Sequence, residues 1–190
     1  MRIIGGKFKN KRLHFPENLK TRPLKDSVRE NIFNILKHSN NIGIDIKNSE
    51  VLDLYAGTGS FGLECISGDA SEVIFVENEQ DALINLKKNI KNLNVETKTI
   101  LLEQDVLEFF NLLTTEKYKE KFNIIFLDPP YQNKKILEII EIIKKKNLFN
   151  KRHIVVIHRE IKSGDLIDKY LNIIENRVYG RSEIFFGMFF

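Results

Sequence analysis

Five short runs of aliphatic and β-branched residues punctuate this chain: Val51–Tyr55, Val73–Val76, Ile100–Leu102, Ile124–Leu127 and Ile154–Ile157. Three of the gaps between them carry helical spacing. Phe61–Ser67 reads as a helix stopped by Gly68, Ala82, Leu83, Leu86, Ile90 and Leu93 mark an amphipathic helix, and Ile136, Ile139, Ile140 and Ile143 mark another. Strands alternating with helices imply right-handed crossovers and a parallel sheet covered on both faces, a doubly wound α/β fold. The chain then changes character. Ile173–Tyr179 and Ile184–Phe190 are strand-like and joined only by Gly180-Arg181-Ser182. So short a loop makes a hairpin, so the last of seven strands should run antiparallel. Phe185, Phe186, Phe189 and Phe190 read as an edge strand of the core rather than as a base-stacking platform.

Upstream, Ser27 and Glu30 form a capping-box pattern, and Val28, Ile32, Ile35 and Leu36 share one helical face. Residues 1–25, broken by Gly5-Gly6, Pro16 and Pro23, suggest a short hairpin and loop. This segment holds eight basic side chains against one acid, a net of +7, whereas residues 26–190 hold 22 basic and 25 acidic groups. All of the chain's positive excess is therefore concentrated in a basic extension suited to phosphate contacts, leaving 26–190 as the main domain. The chain's 190 residues can bury one sizeable core. No stretch of 18 uncharged apolar residues occurs and no apolar leader opens the chain, so a cytoplasmic protein free of the membrane is expected. Cys65, the only cysteine, excludes an internal disulfide and reads as a buried structural thiol. The four histidines form no metal-binding pattern, and no metal is expected.

The first chemical motif follows the first strand. Gly57, Gly59 and Gly62 satisfy GxGxxG, which lets backbone turn sharply and approach a ligand closely. Asp53, just upstream, would repel phosphates but attract a sulfonium or ammonium group. Glu77, directly after Val73–Val76, stands where an acid accepts both hydroxyls of a ribose. Asp105 follows the third strand and is placed to accept from an adenine amino group. The fourth motif is Asp128-Pro129-Pro130-Tyr131, ending the run Ile124–Leu127. Two prolines remove two N–H donors and leave an acceptor-rich corner: the Asp128 carboxylate and the Pro129 carbonyl. A primary amine has two N–H groups to give such a corner, and Tyr131 offers a face on which a base can stack.

These residues resemble class I methyltransferases that act on exocyclic amines, with their Rossmann-like seven-stranded sheet. Nearly the whole chain is similar to one bacterial family, the 16S rRNA (guanine-N2)-methyltransferase D family. The likeness runs through Arg2-Ile-Ile-Gly-Gly6, Thr21-Arg-Pro23, Asp26-Ser-Val-Arg29, Phe33-Asn-Ile-Leu36, Val51-Leu-Asp-Leu-Tyr-Ala-Gly57, Gly62-Leu-Glu64, Phe126–Tyr131 and Tyr179-Gly180. Asn10 and Arg181 depart from it, standing where a glycine and a small acidic or polar residue are usual. The resemblance implies that Asp53, Tyr55, Gly57, Gly59, Glu77 and Asp105 hold S-adenosylmethionine and that Asp128, Pro129, Pro130 and Tyr131 hold the guanine. It also implies 16S rRNA as partner, in a small-subunit particle, and a monomeric enzyme.

Other readings explain less. A DNA adenine-N6 methyltransferase shares the Asp-Pro-Pro-Tyr chemistry, but no separate target-recognition domain is visible. A protein-glutamine methyltransferase prefers Asn at position 128. A NAD-dependent oxidoreductase shares the glycine loop and Glu77 but leaves Asp128–Tyr131 unexplained, and a non-catalytic RNA-binding module leaves the carboxylates without use.

Overall fold

The computed structural model describes residues 1–16, 24–113, 121–130 and 133–190. Thr21-Arg-Pro23 and Tyr131 lie outside the described residues. Seven strands, β1 (Glu50–Leu54), β2 (Glu72–Glu77), β3 (Thr99–Glu103), β4 (Phe122–Leu127), β5 (Phe149–Glu160), β6 (Asn172–Tyr179) and β7 (Ser182–Met188), form one sheet in the order β3-β2-β1-β4-β5-β7-β6. The pairs from β3 to β5 are parallel, and β7 runs antiparallel to both β5 and β6. The doubly wound α/β sheet ending in an antiparallel hairpin is therefore observed. Tyr179 pairs with Ser182, so the turn is Gly180-Arg181, with Gly180 at φ +62° as a primed hairpin turn requires.

Side chains alternate across each strand, and the two faces bury separate cores. Val51, Val73, Ile124, Phe126, Ile154 and Val156 pack beneath α1 (Asp26–His38), α2 (Ser60–Ser67) and α3 (Gln80–Leu93). Leu52, Leu54, Ile74, Val76, Ile125, Leu127, Val155 and Ile157 pack beneath α4 (Val106–Leu112) and α5 (Ile136–Lys145). α4 is an element the apolar pattern left unassigned. Its signature is short but present: Asp105 caps it by accepting from the Leu107 N–H, and Val106, Phe109 and Phe110 are buried at helical spacing.

The capping box at Ser27 does not form. α1 starts at Asp26 behind Lys25, with no side-chain cap, because the Asp26 carboxylate is drawn to Arg29 (3.1 Å) in its own first turn. Of the terminal aromatics, Phe186 and Phe189 are core, whereas Phe190 is exposed with Lys144 Nζ 3.8 Å above its ring. Cys65 is fully buried, and burial pushes its thiol pKa well up.

Residues 1–16 fold onto the same core through Ile3 and Leu13. They form a narrow hairpin: Ile3 N–H donates to the Lys11 carbonyl, and Asn10 N–H to the Ile3 carbonyl. Asn10 adopts φ +70°, a left-handed conformation that asparagine tolerates, so it can replace the glycine usual there. The hairpin is fastened to α2 by Glu64, whose carboxylate accepts from Ile4 N–H (2.9 Å) and Gly5 N–H (2.6 Å). Arg29, with no exposed surface, lies with Nε 3.7 Å from Glu64 and donates to the Arg2 carbonyl. Gly6 sits so close to α2 that a Cβ would lie 1.9 Å from the Ser67 carbonyl oxygen.

Glu64→Ala is expected to cost about 3 kcal/mol, because it strips acceptors from two amides and removes the more buried of Arg29's two carboxylate neighbours. Urea titration should show a lower midpoint with an unchanged slope. Glu64→Gln, which keeps one acceptor oxygen, should lose clearly less, and equal losses in the two variants would refute this role.

Candidate functional site

The carboxyl ends of β1, β2, β3 and β4 meet where the strand order reverses direction, the crevice in which open α/β sheets bind ligands. Asp53 is placed one residue before the end of β1, paired in register with Phe75 of β2 and Phe126 of β4. Its side chain is buried and accepts a hydrogen bond from the Gly62 N–H (2.9 Å) through Oδ2, tying the strand to the start of α2. Among the described residues Oδ1 has no hydrogen-bond partner. Burial raises the Asp53 pKa well above the usual carboxylate range. The Gly62 hydrogen bond opposes this rise, and the nearby Asp128 and Glu77 charges add to it.

The three glycines do different work. Gly57, at φ +57°, has nothing among the described residues within 4 Å of where a Cβ would stand, so its backbone is open on that side. At Gly59 (φ +78°) a Cβ would meet Leu86 at 2.3 Å, and at Gly62 it would meet the Phe75 ring at 2.3 Å. These last two glycines let α2 and α3 close onto the sheet. The turn is held from two sides. Glu77 Oε2 accepts from the Gly57 N–H (2.7 Å), and its Oε1 accepts from Asn78 and Glu79 N–H (2.8 Å each). Asn89 of α3, also buried, donates to the Thr58 carbonyl (3.0 Å). The same amide takes the His14 N–H (2.6 Å) and donates to the His14 carbonyl (3.1 Å), joining the N-terminal hairpin to the glycine turn.

Tyr55, at φ +60°, is half-buried, with Asp105, Arg159 and Glu77 near enough for their charges to act on its phenol. Its pKa is pushed up to about 12, chiefly by burial, and its hydroxyl accepts from Asn133 Nδ2 (3.0 Å). Asp105 is half-buried at the head of α4, with one oxygen already committed to the cap. Asp128 follows β4 directly, its N–H reaching the Leu54 carbonyl (3.3 Å), which brings the Asp-Pro-Pro corner beside β1. Pro129 is buried and Pro130 exposed. The Pro130 carbonyl accepts from the Asn133 N–H (2.8 Å).

The structure also brings residues here that the motifs did not include. His158 of β5 is buried with Nδ1 2.7 Å from Asp128 Oδ1. Arg159, equally buried, donates from Nε to Asp165 (2.6 Å), from Nη1 to the Pro130 carbonyl (3.4 Å) and from Nη2 to the Asn133 carbonyl (3.1 Å). Their signal was the same as that of Asp128: polar residues directly after an apolar strand, here Ile154–Ile157, on a neighbouring strand of a parallel sheet. Arg181, the departure noted in the last hairpin, pairs with Glu160 at 2.5 Å.

A bare glycine turn, a buried carboxylate with one unmatched oxygen, an acid at the end of β2 and an acceptor corner after β4 suit an adenosyl sulfonium ligand and an amine, and the sheet order is that of class I methyltransferases. The chain belongs to the family described as "Conserved hypothetical protein 95", which matches residues 1–188. It is 29% identical over 177 residues to the ribosomal RNA small subunit methyltransferase D of Buchnera aphidicola, covering 93% of this chain and 86% of that protein. Escherichia coli yhhF shares its fold with TM-score 0.81, at 23% identity and covering 100% and 97% of the two chains. A more distant methyltransferase, SMU.776, whose crystal structure contains SAH, matches at TM-score 0.60 and 13% identity, covering 82% of this chain and 49% of that one.

The Asp53 environment sets a pH dependence. Its folded pKa is raised above the unfolded value, so its contribution favours folding below about pH 4 and is lost as pH climbs through the folded pKa. Asp53→Asn keeps an acceptor for Gly62 and carries no charge. It should be more stable than the parent at pH 8, by about 1–3 kcal/mol, with the difference closing toward pH 4. Thermal melts across that range would show it, and a gap that widens on acidification would contradict the assignment.

Proposed function

We propose that this methyltransferase transfers a methyl group from S-adenosylmethionine to the exocyclic N2 amine of a guanine in 16S rRNA. The observation that carries the reading is the Asp128-Pro-Pro corner packed against β1, one strand from the glycine turn. The name of the Buchnera relative supports the ribosomal RNA target, and the SAH held by SMU.776 supports the cofactor.

Bound S-adenosylmethionine supplies an electrophilic methyl on a sulfonium and leaves as the neutral thioether. In this reading, Gly57 and Gly59 let the backbone approach it and Asp53 offers a carboxylate oxygen to its ammonium end. Glu77 already accepts three amides, which leaves about one acceptor site, on Oε2, for a ribose hydroxyl. Asp105 and Tyr55 flank the adenine. The guanine amine is a weak nucleophile because its lone pair is delocalised into the ring. Hydrogen bonds from its two N–H groups to Asp128 and the Pro129 carbonyl direct that pair toward the methyl carbon. As the N–C bond forms, the C–S pair goes to sulfur, and one amine proton departs toward Asp128 or solvent. Catalysis is then mainly a matter of holding donor and acceptor in line at about 3 Å. Tyr131 is the proposed stacking face for a base taken out of its stack, and Lys7, Lys9, Lys11 and Arg12 are the proposed phosphate contacts. We place the enzyme in the cytoplasm, acting as a monomer on an exposed loop of a small-subunit particle.

S-adenosylhomocysteine should raise the melting temperature and NAD should not, with Glu77→Ala shrinking the shift. Asp128→Ala should abolish methylation while retaining that shift. Tyr131→Ala should weaken base engagement by about 1–3 kcal/mol. Neutralising Lys7, Lys9, Lys11 and Arg12 together should flatten the salt dependence of RNA binding and leave cofactor binding unchanged.

Nucleoside mass spectrometry should find N2-methylguanosine missing from 16S rRNA of a strain lacking the gene. N6-methyladenine formed in a DNA pool by the purified protein would instead favour the DNA enzyme, and stabilisation by NAD alone would overturn the cofactor.

A further inference from the structure

We propose that His158 and Arg159, at the carboxyl end of β5, are a two-sided clamp that positions the Asp128-Pro-Pro corner for methyl transfer. The inference rests on the function proposed above and assigns these two side chains as positioning residues within it. Consecutive strand residues point to opposite faces of a sheet. His158 follows the alternation of Ile154 and Val156 on the α1–α3 face, and Arg159 that of Val155 and Ile157 on the α4–α5 face. Leu127 pairs with Ile157 in register, so Asp128 comes level with His158 just beyond the last paired residues.

The two contacts restrain different freedoms. A carboxylate only accepts, so His158 Nδ1 carries the proton in its 2.7 Å bond to Asp128 Oδ1. With Oδ1 so occupied, rotation of the carboxylate is stopped and Oδ2 is the oxygen left to meet an amine. Arg159 acts on the backbone beyond. Its planar fork spans the Pro130 and Asn133 carbonyls while Asp165 holds its Nε, at 3% and 13% side-chain exposure. Asn133 in turn donates to the Tyr55 hydroxyl beside β1. The chain Asp165–Arg159–Asn133–Tyr55 thereby sets the corner's distance from the strand that carries Asp53. An arginine is needed here because a lysine ammonium cannot hold three acceptors in one plane.

The test uses the full chain with labelled S-adenosylmethionine and small-subunit particles from a strain lacking the gene. His158→Leu and Arg159→Met should each lower kcat about tenfold to hundredfold, as misplacement of a reacting group does. RNA affinity and the stabilisation by S-adenosylhomocysteine should change less than about twofold, which also shows that the variants fold. His158→Asn, which presents an amide N–H near the Nδ1 position, should restore most of the rate, and Arg159→Lys should restore little. Proton NMR of the wild-type protein should show a protected, downfield imidazole N–H that disappears in Asp128→Ala. Wild-type rates in His158→Leu and Arg159→Met, losses confined to KM for RNA, or absence of the protected proton would overturn the clamp. A wild-type protein that methylates none of the offered RNA would refute the proposed function instead, with the imidazole proton still deciding the His158 contact.

Discussion

The hydrogen bond from the Gly62 amide to the buried carboxylate of Asp53 joins strand β1 to helix α2 across the turn on which the site is built. Everything near the crevice is referred to it. It sets where α2 begins, so it sets how far Gly57 and Gly59 project, and its strand is the neighbour of both β2, which carries Glu77, and β4, which delivers Asp128. A carboxylate in the middle of a sheet is costly to ionise. Folding into this geometry therefore keeps a group whose solvation is poor and whose second oxygen is unmatched. Such a group costs the fold stability at neutral pH, which is consistent with the cofactor role proposed for it.

Much of the architecture was legible because parallel strands buried on both faces write themselves as unbroken apolar runs. Val73–Val76 and Ile124–Leu127 are examples: β2 extends the first by one residue at each end, and β4 extends the second by two residues at its start only. β5 is longer than its apolar centre because Phe149 already pairs with Phe122 of β4 and Asn150–Arg152 carry the strand past an irregularity while partly or fully exposed, where polarity hides the strand. α4 is hard to read in the sequence because seven residues carry too few turns for periodicity to stand out, and an aspartate after a strand reads equally as a ligand acceptor and as a helix cap. Ser27 misled in the opposite direction: a capping pattern loses to a carboxylate one residue earlier that has an arginine to pair with.

The candidate site divides along the same line. Glycine turns and Asp-Pro-Pro are local motifs, visible because each occupies consecutive residues. His158, Arg159, Asn133 and Asn89 act through partners 26 to 78 residues away, and beyond the polar step that follows the apolar run Ile154–Ile157 no consecutive motif marks them. Asn89 shows the cost of reading helices by their apolar stripe alone. It lies on the buried side of α3 next to Ile90, where an amide is expensive unless satisfied, and it is satisfied by two segments at once, His14 of the hairpin and Thr58 of the glycine turn. The basic hairpin and the glycine turn accordingly share a hydrogen-bonding residue, so neither can be displaced without disturbing the other.

The order of the last two strands has a further consequence, for assembly during synthesis. β7 lies between β5 and β6 although it is made after both. While the chain emerges, β5 has its parallel neighbour β4 but presents an open edge of Ile154-Val-Val-Ile157 on the other side, the kind of edge that recruits foreign strands. β6 cannot close it, because its place in the sheet is one strand further out. The interval between translation of β5 and of β7 is thus the period in which this protein is most open to mispairing. Polar and charged residues directly after that edge, His158-Arg159-Glu160, and Lys151-Arg152 before its apolar stretch shield it only at its ends.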